Sequence, residues 1–140
     1  MSGDIFRNGM NWFRADFHLH TKADKEFKYI GEPSEFNGLF VDRLVAEGVS
    51  IGVITNHNKF DREEYKALRK VAGRKDVWLL PGVELSVNDG ANGIHCLIVF
   101  DKNTWLATDD DFINQFLTSV FEGIPNRENE NTSCNCNLET

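Results

Sequence analysis

The sequence predicts an α/β fold, with a parallel sheet and helices packed outside it. Three observations carry this. Short apolar and β-branched runs alternate with stretches whose apolar residues recur at helical spacing. Each helical stretch is bounded by residues suited to starting or stopping a helix. All four histidines, His18, His20, His57 and His95, fall at or beside predicted strand ends. In α/β sheets and barrels, ligands gather beyond the carboxyl ends of the strands.

Taken in order, residues 1–10 read as an irregular lead-in. The first strand spans about Trp12 to His20. A polar loop with Lys22, Asp24, Lys25 and Glu26 follows, closed by Pro33, which disfavours helix before itself. The first helix runs from Ser34 or Glu35 to Glu47. Phe36, Leu39, Phe40, Val41, Leu44 and Val45 form its apolar stripe, and Gly48 is placed to end it in a left-handed conformation. Ser50 to Thr55 reads as a buried strand leading into Asn56-His57-Asn58. Asp61 and Glu64 have the spacing of a capping box. The helix they open turns Tyr65, Leu68, Val71 and Ala72 inward. Arg62, Lys66, Arg69 and Lys70 read as its solvated face, and Gly73 as its stop.

A third apolar run begins at Val77 to Leu80 and continues through Pro81-Gly82-Val83-Glu84-Leu85-Ser86. Residues 88–93 form a turn by composition. Ile94 to Phe100 is a fourth strand with His95 near its start, so His95 reaches the other histidines only if this strand runs antiparallel or bends at the turn. The last helix is expected to be capped near Thr108, with Asp109, Asp110 and Asp111 in its first turn as partners for the helix dipole. Phe112, Ile113, Phe116, Leu117, Val120 and Phe121 supply its stripe, and Gly123 and Pro125 end it. Residues 1–125 thus read as the folded part. Residues 126–140 read as a polar tail, disordered or the start of a continuation.

Composition narrows the function. Apolar residues make up 41% of the 140, with 11 Phe and 3 Trp, enough for one real core. A net charge of −7 argues against a nucleic-acid surface built from bulk positive charge. It leaves an anionic substrate open, because bound metal ions would reverse the local field. No apolar run approaches the roughly 18 residues of a membrane span. The 3 cysteines are an odd number, and Cys134 and Cys136 lie in the polar tail. A disulfide framework is not expected, so the default compartment is a reducing cytosol. Cys134-x-Cys136 alone is a weak metal signal.

The chemistry starts at Asp16-Phe17-His18-Leu19-His20-Thr21. In a regular strand alternate side chains share a face, so Asp16, His18 and His20 would point one way. Neutral imidazoles are good ligands for zinc and related metals, and a carboxylate behind them can orient a ring. This pattern reads as a metal pair rather than two structural histidines.

The constellation resembles the polymerase and histidinol phosphatase (PHP) domain family. The residues 16–21 are similar to its opening motif, Val53-Ile54-Thr55-Asn56-His57-Asn58 to its second, Gly82-Val83-Glu84-Leu85-Ser86 to its glutamate motif, and Ile94 to Phe100 to its histidine-bearing strand. The order and spacing cover about residues 12–100. The resemblance implies a distorted seven-stranded β/α barrel, here about its first four strands with flanking helices. It implies a cluster of two or three divalent metal ions (zinc, manganese or iron) and hydrolysis of phosphate esters in nucleotides, nucleic acids or other phosphorylated small molecules. By the same resemblance, His18 and His20 would ligate one metal, Glu84 would bridge two, and His57 and His95 would serve the others. Asp24 is the nearest candidate for the further ligand that follows the first motif, and Asp16 would support a ligating ring.

Two departures qualify the resemblance. Asn56 stands where the family has Asp, which predicts reduced or altered activity. No histidine follows His95, so the family's late ligands are not in these residues. The chain therefore reads as the first part of a longer protein, inactive alone and prone to aggregate or dimerise. The short polar lead before the first motif resembles PHP domains joined to AAA- or SMC-like ATPases, although no P-loop motif is present. The leading expectation is a metal-dependent phosphoesterase or nuclease. The alternative is a degenerate module with a structural or regulatory role beside an attached ATPase or other domain. Lys59 reads as a solvated lysine at a helix start rather than a phosphate contact.

Overall fold

The computed structural model describes residue 9, residues 11–91 and residues 93–139. Most of the expected lead-in and one residue of the expected turn, Asn92, lie outside these. The elements are β1 (Arg14–Leu19), α1 (Phe36–Ala46), β2 (Val49–Ile54), α2 (Arg62–Gly73), β3 (Trp78–Val87), β4 (Ile94–Val99), α3 (Lys102–Trp105) and α4 (Phe112–Val120). The four strands form one curled, half-barrel sheet in the order β1-β2-β3-β4. The first three are parallel and β4 is antiparallel to β3. The α/β class is as expected; the sheet is mixed rather than purely parallel.

One face of the sheet is sealed by helices. A Cβ placed on Gly52 of β2 would meet Leu19, Leu79 and Leu44, which marks the face that α1 covers. Phe36, Val41 and Leu44 of α1 join Tyr65, Leu68 and Ala72 of α2 and Val83, Leu85 and Val87 of β3 in a single buried cluster. Ile113, Leu117 and Val120 of α4 extend it. Along β3 the alternate residues Gly82, Glu84 and Ser86 face the other way, in register with Val99, Leu97 and His95 of β4. On that concave face Leu97 and Val99 remain 42% and 45% exposed.

Gly48 takes φ +69° just after α1, as its position requires. Asp61 caps α2 by accepting the Glu64 N–H at 2.9 Å. The Glu64 carboxylate does not return the favour to Asp61; it accepts the Thr21 hydroxyl instead. The last long helix starts later than expected. Asp111 is its N-cap, accepting the Asn114 N–H at 3.0 Å, while Asp109 and Asp110 precede it. The carbonyls of Thr108 and Asp109 are held by the Arg62 guanidinium, which draws that stretch out of the helix. The short α3 escaped the sequence reading because Asp101 caps a single turn with no apolar stripe.

The tail also departs from expectation. Residues 126–139 pack as a series of turns rather than lying disordered. The Cys134 N–H donates to the Ser86 carbonyl at 2.8 Å and the Asn88 N–H to the Cys136 carbonyl at 3.0 Å. Asn58, buried at φ +50°, donates its amide to the carbonyls of Asn129 and Thr132 and accepts the Ser86 N–H. Backbone pairing and one buried amide therefore hold a segment whose composition offers almost no apolar residues.

Candidate metal centre

The site is assembled where β1, β2 and β3 end and β4 begins. Glu84 is its centre, 4% exposed. His18 Nε2 lies 2.6 Å from Glu84 Oε2, His20 Nε2 2.8 Å and His57 Nε2 3.2 Å. His95 Nδ1 lies 2.8 Å from the other oxygen, Oε1. The imidazoles form an arc, with centroids 4.9 Å apart for His18–His20, 4.5 Å for His20–His57 and 5.4 Å for His57–His95. The antiparallel β4 solves the approach of His95: it pairs with Ser86 across the ladder and so stands beside Glu84.

Three imidazole nitrogens on one carboxylate oxygen exceed what its lone pairs accept as ordinary hydrogen bonds. His18 Nε2 and His20 Nε2 are themselves 3.1 Å apart. Nitrogens converging on one another and on an anion form a donor set suited to a divalent cation. Three overlapping groups could hold one: His18, His20 and Glu84; His57, Glu84 and His95; and His20, Asp24, Glu26 and His57.

Burial by itself would raise the Glu84 pKa, but the hydrogen bonds from His18, His20 and His95 and the charge of His57 bring it down to about 2. Asp24 is held similarly. Burial opposes its charge, and the N–H groups of His57 and Glu26, with His20 and His57 nearby, keep it below the usual carboxylate range. Asp24 accepts the His57 backbone N–H at 2.7 Å and lies 3.1 Å from His57 Nδ1. It therefore both places the second motif and faces its ring. The structure brings together all six residues singled out from the sequence: His18, His20, Asp24, His57, Glu84 and His95.

The supporting residues differ from expectation. Asp16 does not sit beneath the rings. Between Asp16 and Leu19, β1 carries one more residue than its partner segment of β2, so strict alternation breaks. The Asp16 carboxylate accepts the His18 backbone N–H at 3.0 Å. Asn56 is 2% exposed and is engaged away from the rings. Its Oδ1 accepts the Thr21 N–H at 2.8 Å, and its amide donates to the Thr21 hydroxyl, which in turn donates to Glu64. Burial raises the Glu64 pKa, opposed by that hydroxyl. An aspartate at 56 would set a second carboxylate against this chain where a donor is used. Lys59 pairs with Glu128 at 3.5 Å rather than standing free in solvent.

Two participants escaped the sequence reading. Glu26 comes within 3.8 Å of His57 Nδ1, placed by the tight turn in which its N–H donates to Asp24. The Glu130 carbonyl faces His95 Nε2 at 3.1 Å and also accepts the Ser86 hydroxyl. A proton on Nε2 leaves Nδ1 with its lone pair toward the centre, the usual way a ligating ring is oriented. The D-x-E spacing was visible for the first; nothing in the tail's composition pointed to the second. Among the described residues no helix is long and apolar enough to cross a membrane. No protein-family model matches the chain, and no curated protein matches it in sequence.

Proposed function

We propose that the chain carries the metal centre of a phosphoesterase that hydrolyses phosphate esters of nucleotides or nucleic acids. The observation that carries this is the convergence of four imidazoles on the buried Glu84 carboxylate, with Asp24 and Glu26 on the far side of His57. His18 and His20 with Glu84 would hold one divalent ion, and His57 and His95 with Glu84 another. Asp24 and Glu26 extend the set. Bound divalent ions supply Lewis-acid chemistry, activating water near neutral pH and offsetting phosphoryl charge. The chain's own part is orientation. Asp24 fixes the His57 main chain and ring, the Glu130 carbonyl fixes the His95 tautomer, and Glu84 holds the rings within reach of one another. The resemblance of the four motifs to the PHP family supports phosphate esters over other substrates. An attached ATPase belongs to the same family-based reading.

Asn56 counts less against activity than its sequence position suggests, because it is engaged with Thr21 and not with the rings. The ligand groups also close within the chain, so slow turnover by these 140 residues is the expected outcome. The test is elemental analysis of the purified chain, followed by hydrolysis of bis-p-nitrophenyl phosphate with added Mn²⁺ or Zn²⁺. Bound metal with chelator-sensitive hydrolysis, both lost in His18→Ala, supports the reading. Absence of bound metal would end it. Metal retained without hydrolysis would favour a degenerate module that keeps the centre for structure.

A further inference from the structure

We infer that a second site, at the opposite end of the sheet, binds a nucleoside polyphosphate. A groove of about 610 Å³ runs between the carboxyl half of α2, the start of β3 and the start of α3. Its walls carry Lys66, Arg69, Lys70 and Arg74 from α2, Lys102 from α3 and the half-buried indole of Trp78. From Trp78 to Glu84 the strand rises about 20 Å, so this groove is distinct from the metal centre.

The chain as a whole has a net charge of −7, yet cations gather here. Lys66 has Glu63 at 3.7 Å, and Lys75, outside the groove, pairs with Asp42. Among the described residues no carboxylate is within ion-pairing distance of Arg69, Lys70, Arg74 or Lys102. Basic residues near a helix C-terminus complement its dipole, but that dipole amounts to only about half a negative charge. It accounts for one such residue, not four, and does not account for Lys102, which comes from another helix. Four cations without carboxylates fit two or three phosphate groups, for which guanidinium forks are the natural donors. The indole offers a flat apolar surface to a base. The volume is that of a small-molecule site rather than of a track for a polymer.

The experiment is isothermal titration of the full chain with ADP in EDTA, which strips the metal centre. Saturable binding is expected, competed by inorganic pyrophosphate. The exposed pair Arg69→Ala and Arg74→Ala should weaken it by at least about tenfold without changing metal content or the circular dichroism spectrum. Trp78→Leu should weaken ADP more than pyrophosphate; equal effects would overturn the stacking role of the indole. No saturable binding up to about 1 mM ADP, or unchanged affinity in the double variant, would overturn the site. Binding of single-stranded oligothymidylate that ADP fails to displace would assign the groove to nucleic acid instead.

Discussion

β1 and β3 both end in the metal centre, yet they are built oppositely. β3 is the inner strand of the sheet, and from Pro81 onward every residue is buried. It is paired on both sides, by β2 and by β4, and Glu84 enters the site already fixed. β1 is an edge strand with no fully buried residue, its register is broken near the site, and the His18 side chain is 50% exposed. The centre thus has a rigid anion and a more open pair of rings. The difference teaches that ligands of one cluster need not share one energetic role. Glu84 is a structural as well as a ligating group, whereas His18 is free of the fold's constraints.

The comparison is broken most directly at Glu84. Glu84→Ala removes a buried carboxylate that four imidazoles approach, so both metal and stability should fall. Losing hydrogen bonds to a charged buried group costs about 1–3 kcal/mol. Denaturant unfolding of the metal-free protein should register that loss, and elemental analysis should find no metal. A metal-free Glu84→Ala protein as stable as the parent would show that β3 holds its register without its central anion. His18→Ala should behave differently. Metal affinity should drop by about 100-fold, more than a supporting partner costs, while stability of the metal-free protein stays within about 0.5 kcal/mol. A large destabilisation by His18→Ala would erase the distinction between edge and interior.

The acid limb of stability sharpens the same contrast. The folded Glu84 carboxyl has its pKa lowered to about 2 from the ordinary 4.5. A depressed carboxylate stabilises the fold above its unfolded pKa, and that stability is lost as pH falls through the folded value. The metal-free protein should therefore lose stability between about pH 4.5 and pH 2, and Glu84→Gln should remove part of that slope. Chemical denaturation across this range measures it. An unchanged slope in Glu84→Gln would place the acid sensitivity elsewhere, with Asp24 the next group to test.

Much of this was legible in the sequence, for particular reasons. The strand ends could be read because β-branched runs stop at Thr55 and Ser86, and the histidines beside them stand out in a chain with so few. The six candidate ligands follow from that pattern and from the family resemblance. The supporting contacts were not legible. Asp16 was misplaced because a one-residue excess in β1 leaves no mark in an alternating pattern. Asn56 looked like a lost ligand because spacing does not reveal that Thr21 and Glu64 take up its amide network. The tail looked disordered because composition measures apolar burial, whereas this segment is held by main-chain bonds and by Asn58.

The smallest expected effect lies in the loop between β1 and α1, where Asp24 and Glu26 reproduce the interior–edge contrast within three residues. Asp24 is 3% exposed, whereas the Glu26 side chain is 51% exposed. Asp24 accepts two backbone N–H groups, from His57 and Glu26, so its replacement by Asn would disturb the placement of His57 as well as remove a charge. Glu26 reaches His57 Nδ1 only at 3.8 Å, beyond a hydrogen bond, and solvent screens it. Glu26→Gln should therefore weaken metal binding by no more than about fivefold, with no change in stability, if it acts only as an outlying charge. Competition with a chromophoric chelator measures this directly. Loss of a whole metal equivalent in Glu26→Gln would instead make the exposed carboxylate a true ligand, and the rule that buried residues dominate this centre would hold for β3 and Asp24 alone.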